Sequence, residues 1–270
     1  MIKLSKGLVA ACLASLALFL GSCGEVANME LPSLAQAPYE ADSGTLLVRC
    51  GRLIDGRADT STEHIDVLIR DGRIQEIGKN IITGEAVPVL DLSDYSCLPG
   101  LIEMHAHIVE TFDSLVDLTL YYDYSLEDNL QKGREFSKIT LEAGFTSVRN
   151  LGNYYGWADR ELREQIDRGE AIGPRLQVAG FYLTVPGGGG DLLEPGGKEE
   201  DIPPHLRLGV SRSPDEFQRN AQAAADGGAD VLKVIASGAV LAYGGVPGEP
   251  EMTPADLEAV AAVARAEGLK

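Results

Sequence analysis

Two histidines, His105 and His107, stand two residues apart at the end of an apolar run, Cys97-Leu-Pro-Gly-Leu-Ile-Glu-Met-His-Ala-His107. On a β-strand, residues i and i+2 point to the same face. Two imidazoles at one strand end can therefore reach a single metal ion, and a neutral ring nitrogen suits Zn²⁺. The chain has four histidines in all. The other two, His64 in a strand-rich region and His205 in a proline-rich loop, are expected to be structural or solvated. Lys233, within Val231-Leu-Lys-Val-Ile235, is the second candidate. Burial lowers the pKa of an ammonium group and exposes a free amine. The plainer alternatives are a lysine reaching from a strand end into water, or an ion pair with Asp230.

The elements that must hold these residues fall into two regions. Leu46–Cys50, Ile65–Ile69 and Arg73–Ile77 read as strands, the last two joined by Asp71-Gly72, a strong hairpin signal. Val87–Leu90 adds a further edge strand, so residues 44–95 are expected to be a small β-domain. After Ser96 the pattern alternates strand and helix. Strands are expected at Leu98–His107, Phe145–Arg149, Arg175–Leu183 and Asp230–Ala236. The helices between and after them start at Ser125, near Tyr154, at Ser213 and at Thr253, three of them with N-cap signals. Four βα units in succession predict a parallel sheet with helical crossovers. An eight-unit barrel takes about 250 residues. Residues 96–270 are therefore expected to be the first half of a TIM-type (β/α)₈ barrel, truncated after about four βα units, with a complete four- or five-stranded open sheet as the alternative.

Composition places the chain among globular proteins, with 44% hydrophobic and 24% charged residues. A net charge of −18 argues against nucleic acid as a partner. Lys3 and Lys6 precede an uncharged run from Gly7 to Gly24 that includes Leu20-Gly-Ser-Cys23. This resembles a bacterial lipoprotein signal over residues 1–23, with lipid attached to Cys23 and residues 24–43 as a flexible tether. The alternative is an uncleaved membrane anchor. Either way the chain is expected to be exported and tethered to the membrane, by the first reading through a lipid on the periplasmic or extracellular face. Cys50 and Cys97 then sit in an oxidising compartment, either bridged or as two separately buried thiols.

Several segments together resemble the amidohydrolase superfamily. Pro99-Gly-Leu-Ile-Glu-Met-His-Ala-His107 looks like its first barrel strand, and Asp66–Gly78 resembles its N-terminal β-sandwich, which implies that residues 44–95 are a small β-sandwich portion. Gly144–Gly152, Gly173-Pro-Arg-Leu176 and Val231–Gly238 fit, in order, the branch of imidazolonepropionase-like enzymes and Xaa-Pro or Xaa-Arg dipeptidases. The resemblance implies a hydrolase of C–N bonds. His105 and His107 would be metal ligands, and Lys233, as a CO₂-derived carbamate, would bridge two Zn²⁺ ions. The remaining ligands of that family lie on later strands. The expected substrate is a dipeptide or other small molecule; a cyclic amide such as an imidazolone or hydantoin is the alternative, and an inactive fragment lacking the later ligands a third. Oligomeric state is left open.

Three positions depart from the family pattern. Glu103 and Asn150 stand where Asp is usual, and Gly189 stands where the glycine-rich loop commonly has His. The run Thr184–Asp191 does not match a phosphate-binding loop and reads as a flexible active-site loop or lid. No Gly-x-Ser-x-Gly occurs, so a serine hydrolase is unsupported.

Overall fold

Asp71-Gly72 reverses the chain with both residues at positive φ, 48° and 69°. That is the type I′ geometry whose twist matches the strands it joins. The computed structural model describes residues 44–84, 86–110, 118–238 and 245–270. The expected lipidation site Cys23 and the tether over 24–43 lie outside the described residues. The chain divides into two compact units, one ending at Pro99 and one running from Gly100 to Lys270.

In the first unit, β1 (Thr45–Leu53), β2 (Thr62–Arg70), β3 (Arg73–Gly78) and β4 (Val89–Cys97) form one sheet in the order β3-β2-β1-β4. β4 pairs parallel to β1, the other neighbours antiparallel. The edge strand expected at Val87–Leu90 begins two residues later and runs on to Cys97. An edge strand tolerates the polar residues Asp91, Ser93, Asp94 and Ser96 because one side of it faces water. A second sheet, as a sandwich requires, is not found among the described residues of this unit. Cys50, Ile65 and Val67 alternate along their strands and cluster on one face. Cys50 and Cys97 form a disulfide there, with Cα atoms 5.8 Å apart, so the bridged alternative is the one that forms.

The second unit holds a parallel sheet, β5 (Leu101–Ala106), β6 (Phe145–Asn150) and β7 (Arg175–Val178), in that order. The helices are α1 (Leu126–Glu142), α2 (Ala158–Asp167), α3 (Pro214–Asp226) and α4 (Pro254–Glu267). Ser125 with Asp128 and Thr253 with Asp256 close full capping boxes on α1 and α4. Ser213 caps α3, but the returning Glu216 carboxylate takes the N–H of Arg212 instead. Gly133 lets α1 approach closely: a Cβ there would stand 2.8 Å from Leu162 and 3.0 Å from Val109, both fully buried. No described helix is long and apolar enough to cross a membrane.

Four expected elements change. The strand expected over Leu98–His107 spans Leu101–Ala106, and just past it Ile108 N–H is taken by the Asn150 side chain rather than by a ladder partner. The second helix starts at Ala158 rather than Tyr154, because Trp157 is left-handed at φ 70° and the N–H of Tyr154 is committed to the Glu110 carboxylate. The third strand is regular only to Val178, since Gly180 turns the chain at φ 74°. Asp230–Ala236 is not a continuous strand. The Asp230 side chain takes the N–H of Val178, and Leu232 N–H pairs with Lys270, so only Val234 bridges, to Leu183. The segment still runs parallel to its neighbour, with Leu183 bonded to both Lys233 O and Ile235 N.

The Cys50–Cys97 bridge spans a sequence separation of 47 residues. Closing such a loop stabilises by about 4 kcal/mol on the chain-entropy scale. Reduction, or paired Cys50→Ala and Cys97→Ala substitution, is therefore expected to lower hydrogen-exchange protection across β1 and β4 by about 3–4 kcal/mol. Unchanged exchange would remove the bridge as a stabilising element.

Candidate metal centre

β5 ends at Ala106, which stands opposite Asn150, so His107 leaves the sheet beside the carboxyl end of β6. The His105 and His107 rings meet edge-on with centroids 5.5 Å apart. His107 Nδ1 lies 3.0 Å from Gly152 O and 2.9 Å from the Tyr182 hydroxyl. A carbonyl oxygen only accepts, so the Gly152 contact requires the proton on Nδ1 and leaves the Nε2 lone pair free. A ring orientation set by a second hydrogen bond is the usual arrangement for a metal-ligating histidine. Burial is the main cause that holds the His107 pKa below its ordinary value, with the nearby His105 and Lys233 charges adding to it, which keeps the ring neutral as a ligand must be.

Gly152 makes this meeting possible. It sits at φ 88°, and a Cβ there would lie 2.8 Å from the Tyr182 ring and 3.6 Å from Lys233 Cγ. Tyr182, Lys233 and His107 thus converge on one glycine. Burial pushes the Lys233 ammonium pKa below its ordinary value. The alternative ion pair with Asp230 does not form: that carboxylate is 2.6 Å from Arg163. No group of three or more His, Cys, Asp or Glu side chains able to hold a metal occurs among the described residues. The donors present fit part of a metal site, two imidazoles and an amine, rather than a closed one. His64 lies on β2, and His205 stacks 4.9 Å from Tyr155.

Behind His107 is a buried polar network that no spacing in the sequence announced. Glu110 accepts from Tyr154 N at 2.7 Å and from the Tyr182 hydroxyl at 2.9 Å. Burial raises its pKa to about 7. Asn150, fully buried, accepts Ile108 N–H at 2.7 Å and donates to Asp159 at 3.1 Å. Asp159 also accepts from Gly180 N. An aspartate at 150 would set a second carboxylate against Asp159, so the amide is the side chain this network requires. Glu103, the other departure, accepts from His105 N at 2.8 Å.

The glycine-rich loop is not a free lid. Every backbone N–H from Gly187 to Leu192 is bonded, to Asp191, Val185, Glu251, Thr184, Gly188 and Asp191 in turn. Asp191 is held by a bidentate pair with Arg207 at 2.7 and 2.9 Å. Glu251 accepts from Gly189 N at 3.0 Å, a link between distant segments that sequence offers no way to see.

Residues 97–270 match the model of the amidohydrolase family. A dihydroorotase of Pelobacter propionicus is 25% identical over 203 residues, which cover 72% of this chain and 44% of that protein. A dihydropyrimidinase of Dictyostelium discoideum is 36% identical over 122 residues, 44% of this chain and 24% of its own. Among solved structures, a Xaa-Pro dipeptidase with methionine bound in its active site superposes with a TM-score of 0.74 at 29% identity. That superposition covers 83% of this chain and 55% of the dipeptidase. The chain thus spans about half the length, or less, of the relatives it matches.

Asp159 gives the network a pH signature. Burial raises its pKa from 3.8 to about 6, so the folded protein binds this proton more tightly than the unfolded chain does. Its contribution is fully present below about pH 4 and is lost as pH rises through about 6, up to about 3 kcal/mol in all. Urea unfolding of the parent and of Asp159→Asn is expected to diverge across that window, with the variant losing this component. Parallel pH profiles for the two proteins would show that the carboxyl does not titrate as its burial requires.

Proposed function

The chain belongs to the amidohydrolase family, and on that premise we propose that it contributes the first metal ligands of a hydrolase acting on C–N bonds. The observation that carries this is the freed Nε2 of His107, set beside His105 and backed by Gly152 O. His105 and His107 would hold one divalent ion. Lys233, whose ammonium pKa burial lowers, would as an amine add CO₂ with loss of a proton, and the carbamate would serve as a ligand for divalent metal, a pair of Zn²⁺ ions on this reading. Metal held there supplies Lewis acidity, lowering the pKa of water and polarising an amide carbonyl. Tyr182 and Gly152 hold the His107 ring in place, and the bonded glycine-rich loop stands as a fixed wall beside Tyr182 and Ile235.

Residues 100–270 are read as the opening βα units of a (β/α)₈ barrel, with the β-domain before them. β5 is an edge, and its Ile102 and Met104 are 62% and 48% exposed, which supports a sheet that continues in the whole protein. A dipeptide is the favoured substrate, on the likeness to the Xaa-Pro dipeptidase over most of the chain. A cyclic amide is the second reading, favoured by the dihydroorotase and dihydropyrimidinase relatives. Export with a lipid on Cys23 is part of the same reading, and the Cys50–Cys97 bridge supports an oxidising compartment.

Zinc titration of the chain, with His105→Ala and His107→Ala, tests the ligand assignment. Each substitution is expected to weaken zinc binding on the order of 100-fold. With the barrel complete, a chelator should abolish hydrolysis, and a panel of Ala-Pro, Ala-Arg and dihydroorotate separates the two substrate classes. Zinc binding unchanged in both variants, or full hydrolysis after metal removal, overturns the proposal.

A further inference from the structure

We infer that Glu251 is a specificity-determining residue whose carboxylate receives a cationic nitrogen of the substrate. The inference rests on the proposed C–N hydrolase reading for where a substrate lies. Backbone and side chain both tie Glu251 to the reactive end of the sheet. Its N–H bonds the carbonyl of Ala236, three residues past Lys233, at 2.9 Å. Its Oε2 accepts from Gly189 N at 3.0 Å. The next residue, Gly190, packs so closely that a Cβ there would stand 2.8 Å from Tyr182 Cβ and 3.0 Å from Ile235 Cγ1. The carboxylate thus belongs to the wall beside Tyr182, whose hydroxyl meets His107.

One oxygen of this carboxylate is unspent. Glu251 Oε1 is the only buried carboxylate oxygen without a hydrogen-bond partner among the described residues. A buried acceptor without a donor is costly, most of all on a charged group. The enclosure is made by glycine: a Cβ on Gly245 would lie 2.5 Å from Oε1. Residues 245–250 are exposed, so Oε1 opens to a ligand when Gly245 gives way. The rest of the wall has no cation to spare. From Gly187 to Arg212 the cations are Lys198, Arg207 and Arg212. Lys198 pairs with Glu200, Arg207 with Asp191 and Glu199, and Arg212 with Glu199. A substrate carboxylate meets no free positive charge there, whereas an ammonium or guanidinium group supplies the donor that Oε1 lacks. At Gly189, where the family pattern commonly has an imidazole, this chain presents only an N–H, and that N–H is turned to the carboxylate. The wall therefore suits a peptide with a free amino group or a basic side chain, and disfavours an anionic cyclic amide such as dihydroorotate.

Small probes that differ in one charged group test this on the metal-free chain near neutral pH. They are N-acetyl-alanine amide (neutral), alanine amide (ammonium), N-acetyl-arginine amide (guanidinium) and N-acetyl-alanine (carboxylate). Each is titrated while the ¹H–¹⁵N signal of Gly189 is followed. At least one cation is expected to bind about 10-fold more tightly than the neutral amide, and the carboxylate no better than the neutral amide. Which cation does so separates a free amino group from a basic side chain. Glu251→Gln keeps an acceptor for Gly189 N–H and should erase the preference while leaving the neutral probe unchanged. No cation preference in the parent, a carboxylate bound as tightly as the cations, or a preference that survives in Glu251→Gln overturns the inference. Should the variant fail to fold, the parent's ranking of the probes decides alone. No metal takes part in these titrations, so a failed zinc assignment and a failed Glu251 assignment are told apart.

Discussion

His107 is held by a carbonyl that a side-chain-bearing residue could not present so closely. Gly152 sits at φ 88°, where its oxygen meets Nδ1 while Tyr182 and Lys233 pass over the bare Cα. A methyl group at that position would collide with the Tyr182 ring at 2.8 Å, and the backbone angle itself would be strained. The ring orientation, the approach of Tyr182 and the placing of Lys233 all follow from one glycine at the carboxyl end of β6. This is the end of a parallel sheet where α/β barrels put their reactive groups.

The cost of the arrangement is met by a buried network that ties the same sheet end together. Ile108 N–H, just past β5, is taken by Asn150 on β6; Asn150 donates to Asp159 on α2; Asp159 takes Gly180 N–H beyond β7. Three neighbouring strand ends are thus joined through two side chains rather than through a regular ladder. Backbone groups freed by irregular turns must find partners when buried, and here Asn150 and Asp159 supply them. The loss of regular strand after Val178 and the side-chain network are two aspects of one solution.

Local signals in the sequence survived into the structure where the interaction itself is local. Ser125 with Asp128 and Thr253 with Asp256 lie three residues apart, and Asp71-Gly72 forms its turn without outside help. His105 lies on β5 and His107 one residue past its end, so their nearness is also local. The Asp230–Ala236 segment has a strand's composition, but its pairing is decided by Val178 and Lys270, 52 and 38 to 40 residues away along the chain. Tyr182 and Glu251 reach the site or its loop through contacts of 62 to 75 residues in separation, while Glu110, three residues from His107, is tied into the network across 44 and 72 residues. The glycine run shows the limit most clearly. Its composition predicts freedom, yet the side chains of Glu251, Thr184 and Asp191 and the carbonyls of Val185 and Gly188 take up every backbone N–H from Gly187 to Leu192.

Burial acts in one direction on four titratable groups in and around the His107 network. It lowers the pKa of the imidazole and of Lys233, and it raises those of Glu110 and Asp159. Each group is thereby moved toward its uncharged form. Weaker positive charge on nitrogen lessens the repulsion a cation would meet, and weaker carboxylate charge lessens the pull that would draw it in. A divalent ion would reverse that second effect, since its own charge is the largest in any site it enters and favours ionisation of carboxyl groups nearby. The shared direction of the shifts on His107, Lys233 and Glu110 is thus compatible with the proposed metal site.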